Sequence, residues 1–164
     1  RQYRSPEVIL GLGWSYPSDV WSAACIIMEL YRGDLLFQTH DTVEHLALMQ
    51  KLLGRLPPPL AARAGREARE YFDSSGKLRW PRLATSSSSE DAVAKQAPLA
   101  DLVHEDDDVF LDLMSGMLEY DPAKRLTADQ ALRHTFFTSV RDASSLSSLR
   151  EETFGAPVED AVLA

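Results

Sequence analysis

The sequence predicts a mainly α-helical fold, a bundle of helices around one buried central helix, with a small hairpin in an insert. Three observations carry this expectation. Residues 17–33, PSDVWSAACIIMELYRG, are apolar on every side. Residues 106–118 open with three aspartates and then repeat Phe110, Leu113, Met114, Met117 and Leu118 at helical spacing. Thr127 and Gln130 form a capping box ahead of a last short helix through Ala131 and Leu132.

The 17–33 stretch reads as the centre. Pro17 with Ser18 or Asp19 as N-cap opens it, and Arg32-Gly33 closes it with a cation and a glycine suited to the negative end. Val20, Trp21, Ala23, Ala24, Cys25, Ile26, Ile27, Met28, Leu30 and Tyr31 leave no polar face, and a helix apolar all round is a buried one. Glu29 interrupts it, and a membrane span needs ~20 apolar residues, so it is not a span.

The rest follows in chain order. Pro6-Glu7 opens a short helical turn over Val8, Ile9 and Leu10. Asp41 or Thr42 caps a helix to about Leu53, its buried side Val43, Leu46, Ala47, Met49, Leu52 and Leu53, and Gly54 stops it. Pro57-Pro58-Pro59 cannot continue that helix, because proline removes the donor and clashes with the preceding turn. From Ala61 to about Ala100 the pattern weakens, as in an insertion with its own job or a mobile segment. Within it, Tyr71 to Trp80 reads as a small hairpin or turn around Asp73-Ser74-Ser75-Gly76, and Thr85 to Glu90 as an exposed polar loop. Asp106 to Asp108 suit a helix N-terminus, and Phe136-Phe137 is an aromatic anchor. The Ser- and acid-rich residues 138–164 offer little to bury and read as a disordered tail.

Composition bounds the function classes. With 164 residues and 45% hydrophobic content, one domain with a real core is expected, and no apolar run is long enough for a membrane span. A net charge of −8 argues against direct nucleic-acid binding. The single Cys25 cannot form an internal disulfide, which suits a reducing compartment, and its place in the apolar helix suits an inert small hydrophobe. His40, His45, His104 and His134 are too scattered for a metal site, and no signal peptide is visible. The chain starts at Arg1 rather than Met and is at once rich in signal, as expected of a piece of a longer protein.

Three ordered motifs across 1–137 resemble the C-terminal lobe of a eukaryotic protein kinase. Tyr3-Arg4-Ser5-Pro6-Glu7 is similar to the end of the activation segment, with Ser5 where most kinases have alanine. Asp19-Val20-Trp21-Ser22 is similar to the start of the kinase central helix, with Ala24 in place of the usual glycine. Asp121-Pro122-Ala123-Lys124-Arg125 and then Ala131-Leu132-Arg133-His134-Thr135-Phe136-Phe137 resemble the close of the domain, with Thr135 where proline is usual. An insert at about 57–104 and the Tyr-Arg pair resemble the CMGC group. Glu44-His45-Leu46-Ala47-Leu48-Met49-Gln50-Lys51 resembles the signature of the LAMMER (CDC-like) branch, from which Leu48, Gln50 and Lys51 depart.

The resemblance implies roles. Arg1 and Arg4 would grip a phosphate or acidic group of the activation segment, and Tyr3 would line the pocket for the substrate residue after the phosphorylated one. Glu7 and Arg125 would form a buried ion pair. Asp19, whose plain reading is an N-cap, would also hold the catalytic loop. No role for His45 follows. Dual-specificity phosphorylation of Arg/Ser-rich splicing factors, in the nucleus or cytoplasm, is implied for the full-length chain, with ATP and Mg²⁺ as its cofactors. No Gly-rich loop, HRD or DFG motif occurs in this sequence, so these residues alone are expected to hold no cofactor and to be inactive. The other reading is a pseudokinase or helical interaction module, to which Ser5, Ala24 and Thr135 lend weight.

Overall fold

A computed structural model describes residues 1–137; the tail expected over 138–164 lies outside the described residues. Eight α-helices follow one another: α1 (Pro6–Ile9), α2 (Tyr16–Arg32), α3 (Thr42–Leu53), α4 (Pro58–Ala62), α5 (Ser87–Lys95), α6 (Leu99–Leu102), α7 (Asp108–Met117) and α8 (Ala128–Leu132), with a 3₁₀ turn over Ala68–Tyr71. No strand occurs among the described residues. The hairpin reduces to one antiparallel bridge, Phe72 with Leu78, closed by Asp73 N–H on Lys77 O and Arg79 N–H on Tyr71 O.

Helix α2 starts at Tyr16, one residue before Pro17 and earlier than a cap at Ser18 or Asp19 would allow. Ser15 is the N-cap, and its N–H donates to Ser18 Oγ at 3.5 Å. Neither Ser18 nor Asp19 caps it: Asp19 sits exposed in the first turn, where its charge still suits the helix dipole. Gly33 ends the helix at φ 80°, a left-handed conformation that a side chain would strain.

The expectation of burial all round fails for α2. Val20, Trp21, Ala24, Cys25 and Met28 are buried, whereas Leu30 is 80% exposed and Ile26 46%. Apolar character shows that a face can be covered; covering it needs a neighbour. Here α7 packs against α2, and Val20, Ala23, Ile27, Met117 and Phe137 line an open apolar cavity of about 490 Å³.

Helix α3 is capped by Asp41, whose Oδ1 accepts the Glu44 N–H at 2.8 Å, and it ends at Gly54. Its buried face is wider than the apolar pattern suggests, since Glu44, His45 and Leu48 are buried too, while Leu53 is only half-buried. The reason is the insert. The Ser-rich stretch expected as an exposed loop is instead helix α5, capped by Ser86, whose Oγ accepts the Ser89 N–H at 3.1 Å. Val93 is buried against the core, and Ser89 Oγ donates to Glu44 Oε2 at 2.5 Å, which makes burial of that carboxylate tolerable. Sequence pattern misses α5 because serine reads as loop chemistry, and one buried valine gives no period.

The last helices close the domain. Phe110 of α7 packs on Tyr31 (centroids 4.6 Å) and on Phe136 (5.5 Å), and α8 carries its Thr127–Gln130 capping box. Gly116 in α7 leaves room for Leu126: a Cβ there would come within 2.6 Å of Leu126 Cδ1. Gly116→Ala is therefore expected to destabilise the domain by a net ~1 kcal/mol, overpacking of ~1–3 kcal/mol offset by ~1 kcal/mol of helix propensity. Urea denaturation of the full-length protein followed by Trp fluorescence checks this; an unchanged or raised midpoint counts against it.

Candidate functional site

The site forms where residues 1–15 cross the start of α2. Ser5 at N-cap with Pro6 next turns the chain into α1, which buries Glu7 and fixes the first residues over Ser18 and Ser22. Opposite, the loop after α7 brings in Arg125.

Arg125 uses all five of its N–H groups. Nη1 donates to Glu7 Oε1 and Pro17 O, both at 2.7 Å; Nη2 donates to Glu7 Oε2 (2.8 Å) and Tyr120 O (3.3 Å); Nε donates to Glu119 O (2.8 Å). Its guanidinium lies 5.1 Å from the Trp21 ring centroid, and Trp21 in turn stacks on Phe37 at 6.2 Å. Ser18 Oγ adds a further bond to Glu7 Oε1 at 2.9 Å. Burial alone would raise the Glu7 carboxyl; the bonds and charge of Arg125, with Ser18, outweigh it and hold the group below its usual value. Residues at sequence positions 7, 18 and 125 thus meet in one buried network.

Tyr3 is fixed by a residue that sequence reading passed over. Its hydroxyl donates to Glu29 Oε2 at 2.7 Å, which raises the phenol pKa. Glu29 appeared in the sequence only as the interruption of an apolar helix; it lies on the α2 face toward Tyr3. Ser22 Oγ donates to Tyr3 O at 2.9 Å. Arg1 donates to His40 O through Nη1, Arg4 is exposed, and both line a cavity of about 180 Å³ that also takes in Tyr3, Ser5, Ser18 and Ser22. Asp19 is not among them. It lines the apolar cavity beside Val20, and no partner fixes its carboxylate among the described residues.

The LAMMER-like segment is mostly core. Glu44, His45, Leu46, Ala47, Leu48 and Met49 are buried, Gln50 is half-buried with Oε1 accepting the Leu56 N–H at 3.4 Å, and only Lys51 is exposed. His45 packs against Phe37 at 5.1 Å between centroids. Burial pushes its pKa down to about 3, and the charges of Arg4 and Arg1 push the same way. Cys25 is buried, and burial raises its thiol pKa far above the range in which a thiolate forms. Among the described residues no three His, Cys, Asp or Glu groups gather as metal ligands, and no helix is long and apolar enough to cross a membrane.

Comparison with known proteins fits this geometry. The protein kinase domain profile matches residues 1–137. Serine/threonine-protein kinase AFC1 of Arabidopsis thaliana is 49% identical over 148 residues, 88% of this chain and 32% of its own length. The dual specificity protein kinases lkh1 of Schizosaccharomyces pombe (43% identical, 84% of this chain, 20% of its own) and CLK2 of Homo sapiens (45%, 86%, 28%) are similar as well. A crystal structure of a kinase domain superposes with a TM-score of 0.78 at 40% identity, covering 84% of this chain and 40% of that one. The chain belongs to the protein kinase family, and its fold is that of the helical C-terminal lobe. Within the family it stands with the LAMMER, or CDC-like, branch of the CMGC group, and it spans between a fifth and a third of the length of the relatives named.

Two outcomes follow. Arg125→Ala in the full-length protein is expected to lose ~3–5 kcal/mol of C-lobe stability, because Glu7 is left buried and unpaired; an unchanged melting temperature would refute this. The second concerns pH. A folded pKa of about 3 at His45, against the 6.5 of a free imidazole, means that the unfolded chain binds the extra proton. Stability from the neutral imidazole is fully present above 6.5 and is lost as pH falls toward 3; Glu7, its carboxyl held below the usual value, adds a loss that begins within that window, in the carboxylate range. His45→Gln should flatten the melting-temperature profile just below 6.5, and a profile parallel to wild type would contradict the assignment.

Proposed function

We propose that this chain is the substrate-docking and scaffolding part of an active Ser/Thr, dual-specificity protein kinase. The observation that carries the reading is the clamp of Glu7 by Arg125: it ties the segment bearing Arg1, Tyr3 and Arg4 to α2 and the last helices, which suits a fixed platform for a protein substrate. Arg1 and Arg4 take an acidic or phosphorylated group of the activation segment, and Tyr3, held by Glu29, lines the pocket for the residue after the phosphorylated one. Asp19, exposed at the start of α2, receives the catalytic loop.

The substrates proposed are proteins, Arg/Ser-rich splicing factors first, met in the nucleus or the cytoplasm. Relatives named as dual specificity kinases support the class of activity, and the substrate rests on family resemblance. Phosphoryl transfer relies on positioning and charge neutralisation by a Gly-rich loop, a strand lysine, the catalytic-loop Asp and Asn and a metal-binding Asp. None of these motifs is in this sequence, so ATP and Mg²⁺ are requirements of the full-length protein and the stretch alone is inactive.

A phosphorylation assay on the full-length protein with an Arg/Ser-rich peptide tests this. Transfer that Tyr3→Phe weakens mainly through a higher KM is expected; no transfer above background would favour a pseudokinase or interaction module.

A further inference from the structure

Away from the segment bearing Arg1, Tyr3 and Arg4, helix α3 and the insert enclose a cavity of about 470 Å³ that the proposed function leaves unused. Its volume falls in the range of ligand pockets, ~300–1,000 Å³. The charged groups around it come from different elements. Lys51 in the last turn of α3 and Lys77 in the turn after Tyr71 bring two ammonium groups, and Glu90 and Asp91 of α5 bring two carboxylates. All four residues are exposed, and none forms an ion pair among the described residues. Trp80, half-buried, lines the same space. So does Gln50, which stands where the LAMMER signature has glutamate, so the α3 side lacks a carboxylate beside Lys51.

These charges discriminate between partners. A purely acidic segment would meet Glu90 and Asp91, and a purely basic one would meet Lys51 and Lys77. A segment with one sign of charge on each side avoids both conflicts. Successive side chains of an extended chain point to opposite sides, so a repeat of arginine and phosphoserine lines up its guanidinium groups on one side and its phosphates on the other.

We propose that this cavity docks an extended, already phosphorylated Arg/Ser-rich segment of the substrate, its phosphates on Lys51 and Lys77 and its guanidinium groups on Glu90, Asp91 and the face of Trp80. The inference rests on the substrate class proposed above and adds a second site for it. An unphosphorylated repeat leaves the two lysines without an anion and docks more weakly, so the site favours stretches that have received phosphate over those that have not.

The test measures the binding of fluorescently labelled peptides to the full-length protein by anisotropy, without ATP. Three probes are compared: a short Arg/Ser repeat, the same repeat phosphorylated, and a Gly/phosphoserine repeat that lacks the arginines. The phosphorylated Arg/Ser repeat should bind about tenfold more tightly than either control, the worth of a few exposed charge contacts. Lys51→Gln with Lys77→Gln should remove most of the preference over the unphosphorylated repeat. Glu90→Gln with Asp91→Asn should remove most of the preference over the Gly/phosphoserine repeat. A variant that merely unfolds loses all three probes alike and shows a lowered melting temperature; in that case Lys77→Gln or Glu90→Gln alone carries the comparison. Equal affinity for the three probes, or preferences that both variants keep, would overturn the site. Tight binding of the Gly/phosphoserine repeat that only the lysine variant weakens identifies an acidic partner instead and overturns it as well. If the full-length protein phosphorylates no Arg/Ser peptide in a separate assay, the kinase reading fails, and the affinities still decide whether the cavity takes such a repeat.

Discussion

The bidentate pairing of Glu7 with Arg125 is the constraint on which the rest of the structure depends. It joins the first turn of the chain to the loop after α7, across 118 positions, and it draws in Pro17 O, Glu119 O, Tyr120 O and the face of Trp21. Two charges taken out of water are expensive, and the pair is tolerable only because every donor of the guanidinium is used. Its value is geometric. Once the carboxylate is fixed, the segment carrying Tyr3, Arg4 and Ser5 has little freedom over α2, so the platform proposed above for peptide docking would need no ordering on binding.

A second buried carboxylate organises the other half. Glu44 lies inside the domain because α5 brings Ser89 to it and because Asp41 starts α3 with Glu44 facing inward. The LAMMER-like segment therefore acts chiefly as a packing surface between the loop bearing Phe37 and the insert, with Lys51 alone turned to solvent. His45 fits that role: held neutral beside Phe37, it is a core aromatic at any physiological pH, which also explains why no chemistry was apparent for it in the sequence. The insert, whose sequence reads as an insertion with its own job or a mobile segment, is what brings Glu44 of α3 a partner in the core.

Much of the architecture was legible in the sequence. Helices α2, α3, α7 and α8 carry three-four periodicity or capping residues, signals local enough to read from neighbours. Helix α5 was not, since four serines and one inward valine carry no period, and its helical state is decided by Val93 and Ser89 meeting α3. The same limit explains the cap of α2. Ser15, Ser18 and Asp19 are all chemically able to serve, and choosing among them takes the path by which the chain enters the helix.

What the sequence by itself determined is the family, the order of helices and the charged residues able to pair, because these depend on residue type and short-range spacing. Which pairs formed was decided only by tertiary structure. Glu7 with Arg125 was suggested by likeness to a family, whereas Tyr3 with Glu29 and Ser89 with Glu44 had no signal in local pattern. The free hydroxyl of Ser5 and the exposed side of α2 belong to the same class. Burial and partnership are properties of the neighbours a residue acquires, and those neighbours come from parts of the chain that local periodicity does not connect.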